Sequence, residues 1–123
     1  MINIAALHAI SPIDGRYVSK TTPLSPFFSE FALMYYRLMI EIRWFESLAD
    51  HPLIQEIPAF DMQVKVFLEE ILERFDEDEA QKVKRYERQT NHDVKAIEYY
   101  FRDQLFTFPS LRPYAGFIHF ACT

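Results

Sequence analysis

Glycine is nearly missing: 123 residues contain two, Gly15 and Gly116. A glycine-rich phosphate cradle or dinucleotide fingerprint needs several at close spacing, so neither can be built here. Any phosphate this chain holds is held by side chains and helix ends. Cysteine is scarcer still. Cys122 alone excludes an intrachain disulfide and every zinc site assembled from several thiolates. Basic residues are outnumbered, 13 against 18 acidic for a net charge of -5, and they form no stripe. Nucleic-acid binding through phosphate neutralisation is therefore not expected. The Met-Ile-Asn-Ile start lacks the basic flank and apolar run of a signal peptide, and no stretch reaches membrane-spanning length. A soluble cytoplasmic protein that binds no membrane is expected.

Apolar and aromatic residues are abundant. Half the chain is apolar and 16% is aromatic, with 12 Phe and 7 Tyr. That composition argues against disorder. It also exceeds what one small domain can hide, so part of the surface is expected to meet another domain or subunit, and the isolated chain to self-associate.

Residues 1–24 hold Ser11, Pro12, Asp14, Gly15 and Pro23 and read as an extended, turn-bearing lead-in. A helical region follows over 25–112. From Pro26, with Ser25 as its cap, Phe27, Phe31, Met34, Tyr35, Leu38, Ile42, Phe45 and Leu48 recur at steps of three and four, and Pro52 marks the limit. After a turn near Pro58, Val64, Phe67, Leu68, Ile71, Leu72 and Phe75 repeat the pattern. Asp76–Glu79 followed by Lys82, Lys84 and Arg85 predicts a short, exposed helix whose charges complement its dipole. A fourth helix starts near Asn91 with Val94, Ile97, Phe101 and Leu105 inward. Pro109 and Pro113 bracket a turn, and residues 113–123 begin a last helical segment from about Tyr114. No strand alternation or internal repeat occurs. The fold is expected to be all-α, a small domain of about five helices.

Three places carry candidate chemistry. In Thr90-Asn91-His92-Asp93, Thr90 and Asp93 have the spacing of a capping box, which leaves His92 unexplained. The same geometry suits an anion: free N–H groups at a helix start, with Asn91 and His92 as donors and Arg85, Arg88 and Lys95 adding positive potential. His119, in Phe-Ile-His-Phe-Ala, reads either as a satisfied core histidine or as part of a hydrogen-bonding cluster with Thr123. Asp14-Gly15-Arg16-Tyr17 is an ordinary surface turn, or one in which Arg16 forks onto a phosphate or carboxylate beside Tyr17. His8 and His51 receive no role. Cys122 reads as a small buried residue, the acidic run 76–79 as a solvated helix start, and no metal or cofactor is called for.

Together these segments resemble the N-terminal region of the adenylosuccinate lyase family in its longer bacterial form. The resemblance rests on Ser11-Pro-Ile-Asp-Gly-Arg-Tyr17, Glu41-Ile-Arg-Trp44, Ile57-Pro-Ala59, Glu87-Arg-Gln-Thr-Asn-His-Asp-Val-Lys-Ala96 with Glu98-Tyr99, and Phe117-Ile-His-Phe-Ala-Cys-Thr123, five stretches in order. It implies the fumarase/aspartase-type fold, homotetramers in the full-length family, and β-elimination of fumarate from adenylosuccinate and from the succinylated carboxamide ribotide of purine synthesis. It further implies that Arg16 and Tyr17 contact the nucleotide, that Asn91, His92 and Asp93 line the substrate pocket with His92 supporting catalysis near the succinyl part, that His119 lies by the phosphate, and that Thr123 opens a carboxylate-binding Thr-Ser pair. The family's acid histidine and its serine base, on a Ser-Ser-x-Met-Pro-x-Lys-x-Asn loop, have no counterpart among the 123 residues, so the chain reads as an inactive fragment of a longer enzyme. The equivalent domain of another fumarate-releasing lyase and a non-catalytic helical interaction module stay open as alternatives.

Overall fold

The computed structural model describes residues 5–122. The described residues fall into two compact units, one running to Leu33 and the other starting at Met34. Among the described residues there is no strand, so the expected all-α class holds.

The first unit is built of turns and single-turn helices. A 3-10 turn at Ala6–His8 is followed by α1 (Val18–Thr21), a second 3-10 turn and α2 (Ser25–Phe28). Between them the segment 11–17 is fastened to itself. Asp14 accepts from the Ser11 N–H at 2.8 Å, the Gly15 N–H donates to the Ser11 carbonyl at 3.0 Å, and the Tyr17 N–H donates to the Pro12 carbonyl at 2.8 Å. Gly15 is buried there, and a Cβ on it would overlap the Ala6 carbonyl and press on the Ala9 methyl. Close backbone approach, rather than an unusual φ, is what demands glycine at this turn.

The helix expected from Pro26 is interrupted. Ser29 is extended (φ -79°, ψ 169°), ending α2, and its hydroxyl accepts from the Ala32 N–H at 3.1 Å, capping α3 (Glu30–Asp50). A serine that can serve as an N-cap competes with helix continuation, and here the cap wins. Phe27 and Phe31, expected on the apolar face, are exposed.

The second unit carries the core. Met34, Leu38, Ile42, Phe45, Leu48 and Ala49 of α3 are buried. Helix α4 (Met62–Glu73) begins at Asp61, which accepts from the Val64 N–H at 2.9 Å, and buries Val64, Leu68, Ile71 and Leu72. Helix α5 (Glu77–Thr90) is capped by Asp76, has Glu77, Asp78 and Glu79 in its first turn, and buries Ala80 and Val83. At 14 residues it is longer than its few apolar positions suggested, because capping and charge order sustain it. Helix α6 (Asp93–Phe106) supplies Ala96, Ile97, Tyr100, Phe101 and Leu105. Phe45 meets Phe101 edge-on, with centroids 5.8 Å apart, and the Tyr100 hydroxyl donates to Glu79 at 2.7 Å, tying α6 to α5. The last segment departs from the expectation of a helix starting near Tyr114. It is a 3-10 stretch, Pro109–Phe117, with Leu111 buried, and it ends where Ile118 turns extended. Pro113 inside it removes a donor that an α-helix would need.

Candidate functional site

The residues Asn91, His92 and Asp93 form the corner between α5 and α6. Asn91 terminates α5 in the left-handed region (φ 52°), which asparagine tolerates better than most residues. Its N–H returns to the Glu87 carbonyl at 2.7 Å. The capping box expected from Thr90 and Asp93 is not formed. The N-cap of α6 is His92 itself, whose Nδ1 accepts from the Lys95 N–H at 3.1 Å. Thr90 belongs to the last turn of α5, where its hydroxyl donates to the Tyr86 carbonyl at 3.0 Å. The residue that a capping box leaves unexplained is the one that starts the helix. Because Nδ1 is occupied as an acceptor, a neutral His92 ring carries its proton on Nε2 and presents a donor outward.

Asp93 turns away from capping to pair with Arg37 of α3, at 2.7 Å. The Arg37 guanidinium, more than the Val94 N–H, holds the Asp93 carboxyl below the usual carboxylate range. Lys95 pairs with Glu98 one turn on at 2.9 Å, so part of the positive potential expected at this helix start is neutralised. Arg85 lines a polar hollow of about 320 Å³ with Lys82, Tyr86, Gln89 and Asp103.

His119 follows the 3-10 stretch, with φ 63° in the left-handed region. Its side chain is 12% exposed and its Nδ1 contacts Oε1 of Glu41, a buried acid on α3. One turn further along α3, the Trp44 indole N–H donates to the Phe120 carbonyl at 2.6 Å, and Ile118 is buried against the core. Glu41 and Trp44 together hold the segment 118–120. Cys122, expected to be buried, is exposed. Partial desolvation first, then the charges of Glu41 and Glu98, push its thiol up, so at neutral pH it is protonated and a poor nucleophile.

Glu41 is the residue that sequence reasoning passed over. The signal was present: a carboxylate between Leu38 and Ile42 on the buried stripe of α3 requires a partner. Arg37 and Glu41 are four positions apart, and such side chains emerge about 5–6 Å from each other on one helix face. Since Arg37 takes Asp93 and Glu41 takes His119, α3 gathers the two histidine corners onto adjacent turns of one helix.

Arg16 and Tyr17 lie in the first unit, the Arg16 guanidinium 5.1 Å above the Tyr17 ring and both side chains exposed. The same unit contains a hollow of about 520 Å³ bordered by Ile13, Asp14, Val18, Leu24 and Phe28. Thr123 lies outside the described residues.

No protein-family model matches the chain. Curated relatives do. Adenylosuccinate lyase of Legionella pneumophila (strain Corby) is 57% identical over 122 residues, and that of Vibrio cholerae (serotype O1, strain O395) is 48% identical over the same length. That of Escherichia coli K12 is 43% identical over 122 residues. Each alignment covers 99% of this chain and 27% of the relative. Along nearly all of its length, the chain is thus homologous to the N-terminal part of adenylosuccinate lyases, about a quarter of their extent.

Proposed function

We propose that this chain supplies one wall of an adenylosuccinate lyase active site, for elimination of fumarate from adenylosuccinate and from the succinylated carboxamide ribotide. The observation that carries this reading is the gathering of the His92 and His119 corners by Arg37 and Glu41 of a single helix. His92 then offers an Nε2–H donor at the succinyl part of the substrate, beside Asn91, while His119 serves the phosphate. In the first unit, taken by itself, Arg16 and Tyr17, with the guanidinium over the phenol ring, offer a cation and a phenol suited to a nucleotide. Thr123 contributes to carboxylate binding. Elimination requires a base beside a carboxylate and an acid for the leaving nitrogen. Neither is assigned to any of these 123 residues, whose part is binding, orientation and stabilisation of developing charge. The exposed Phe27, Phe28 and Ile40 support burial against further chain or further copies, as a homotetramer in the cytoplasm provides. Among the described residues no helix is long and apolar enough to cross a membrane.

Two measurements on the purified chain test the reading. Adenylosuccinate absorbance should stay at the buffer rate, and turnover would overturn the assignment of acid and base elsewhere. Addition of AMP and then succinate should shift the NMR signals of His92 and His119. Perturbation confined to residues remote from both histidines would refute the wall.

A further inference from the structure

The contact of Glu41 with His119 leaves something unsatisfied. Glu41 is 7% exposed, and its second oxygen, Oε2, has no hydrogen-bond partner among the described residues. A buried carboxylate oxygen without a donor is unfavourable, so its position calls for a cation. The third member of the cluster is Cys122. Its N–H donates to the His119 carbonyl at 3.1 Å, closing a tight turn that brings residues 119 and 122 together. One ligand atom from each of Glu41, His119 and Cys122 lies within 4.8 Å of the others.

We propose that Glu41, His119 and Cys122 form a binding site for one divalent transition-metal ion of the zinc class. A carboxylate oxygen, an imidazole nitrogen and a thiolate are the donors that such borderline-soft ions prefer, and hard ions such as magnesium do not use the last two. Tetrahedral ligands around zinc stand roughly 3–4 Å apart, given bond lengths of ~2.0–2.3 Å. The observed spread therefore needs about an ångström of closure, which a turn at 119–122 can supply. Charge balances as well. Glu41 and the Cys122 thiolate bring two negative charges and neutral His119 none, matching a 2+ ion. On binding, the thiol proton leaves to solvent, and the imidazole proton facing Glu41 shifts from Nδ1 to Nε2 so that Nδ1 can ligate. No oxidation or reduction is involved. Cys122 is exposed, so water fills the fourth position. The site shares His119 with the substrate wall proposed above: an ion on Nδ1 leaves the Nε2–H as the donor to the phosphate, and the cobalt titration reads the ion whether or not that wall binds a nucleotide.

The test is titration of the chelator-treated chain with cobalt(II) as a spectroscopic stand-in for zinc. One ion per chain should give thiolate-to-cobalt charge transfer in the near ultraviolet and the intense visible bands of four-coordinate cobalt, both bleached by zinc. Cys122→Ser should abolish the charge-transfer band. Cys122→Ser and Glu41→Gln should each weaken binding on the order of 100-fold, since even outer-shell partners of metal ligands contribute 10–100-fold. His51→Asn should change nothing. In the unmutated chain, zinc should protect Cys122 from alkylation, a readout that does not depend on any variant folding. Absence of the charge-transfer band, its survival in Cys122→Ser, or unprotected alkylation at saturating zinc would each overturn the site.

Discussion

The corner around His92 is built by its own neighbours, whereas the corner around His119 is built by residues 76 and 78 positions away in sequence. At the first, Asn91 supplies the left-handed residue, His92 caps the next helix, and the geometry is set within the span from Glu87 to Lys95. At the second, Glu41 and Trp44 of α3 hold a segment whose local hydrogen bonds are single turns, and which carries left-handed backbone at both His119 and Ala121. A left-handed alanine costs ~1–2 kcal/mol, so this segment persists through what α3 gives it. The lesson is that two histidines of one candidate site differ in what fixes them, and so in what would release them.

The largest difference to test is one of kind. His92 uses Nδ1 to accept and His119 uses Nδ1 to face a carboxylate, so the rings should carry opposite protons. Nitrogen NMR on the neutral rings should find His92 Nδ1 bare and His119 Nδ1 protonated. Matching tautomers would erase the contrast. Next comes the dependence of the second corner on the core. Ile118, 5% exposed, anchors the segment, and Ile118→Ala should cost about 2–5 kcal/mol in denaturant unfolding while freeing residues 118–122 to exchange. A loss below ~1 kcal/mol would mean that Glu41 and Trp44 hold the segment without that anchor.

The same contrast explains what the sequence disclosed. Periodicity exposed α4 and the inward face of α6, because Val64, Leu68, Ile71 and Leu72, like Ile97, Phe101 and Leu105, answer to one stripe against the core. It failed at Ser29, where a side-chain hydroxyl competes with the backbone and breaks a helix that the apolar spacing extends. It failed again at 109–117, where Pro113 makes a 3-10 path from what reads as a helix start. At the His92 corner the residue types were legible and their roles were exchanged, since Thr90 and His92 both can cap and only the backbone decides. The Glu41–His119 contact was not legible as a pair. No local pattern links positions 78 apart, and only the oddity of an acid on an apolar stripe hinted at a partner.

A smaller effect sharpens the local half. Asn91 at φ 52° should be replaced by glycine with little change, because glycine adopts that conformation freely, while Asn91→Ala should cost ~1–2 kcal/mol in thermal or denaturant unfolding. Equal costs for the two would show that the Asn91 side chain, rather than its backbone, maintains the corner.

The smallest effect concerns Arg37, the long-range tie of that otherwise local corner. The guanidinium holds the Asp93 carboxyl below its ordinary value, so the folded pKa lies under the unfolded value of ~3.9. The pair's contribution is then complete above about pH 4 to 5 and is lost as pH falls through the depressed folded value, because there the folded state must take up the proton it had excluded. Arg37→Met should therefore lower stability at neutral pH and make no further difference in strong acid, where the wild-type pair is already broken. The Asp93 side chain is 54% exposed, so solvent screening limits the loss to under ~1 kcal/mol, and added salt should shrink it. The Asp93 carboxyl signal, followed by NMR, should titrate at higher pH in the variant. If it titrates unchanged, the depression comes from the helix start alone, and the His92 corner is local in every respect, with its tie to α3 a contact that carries no energy.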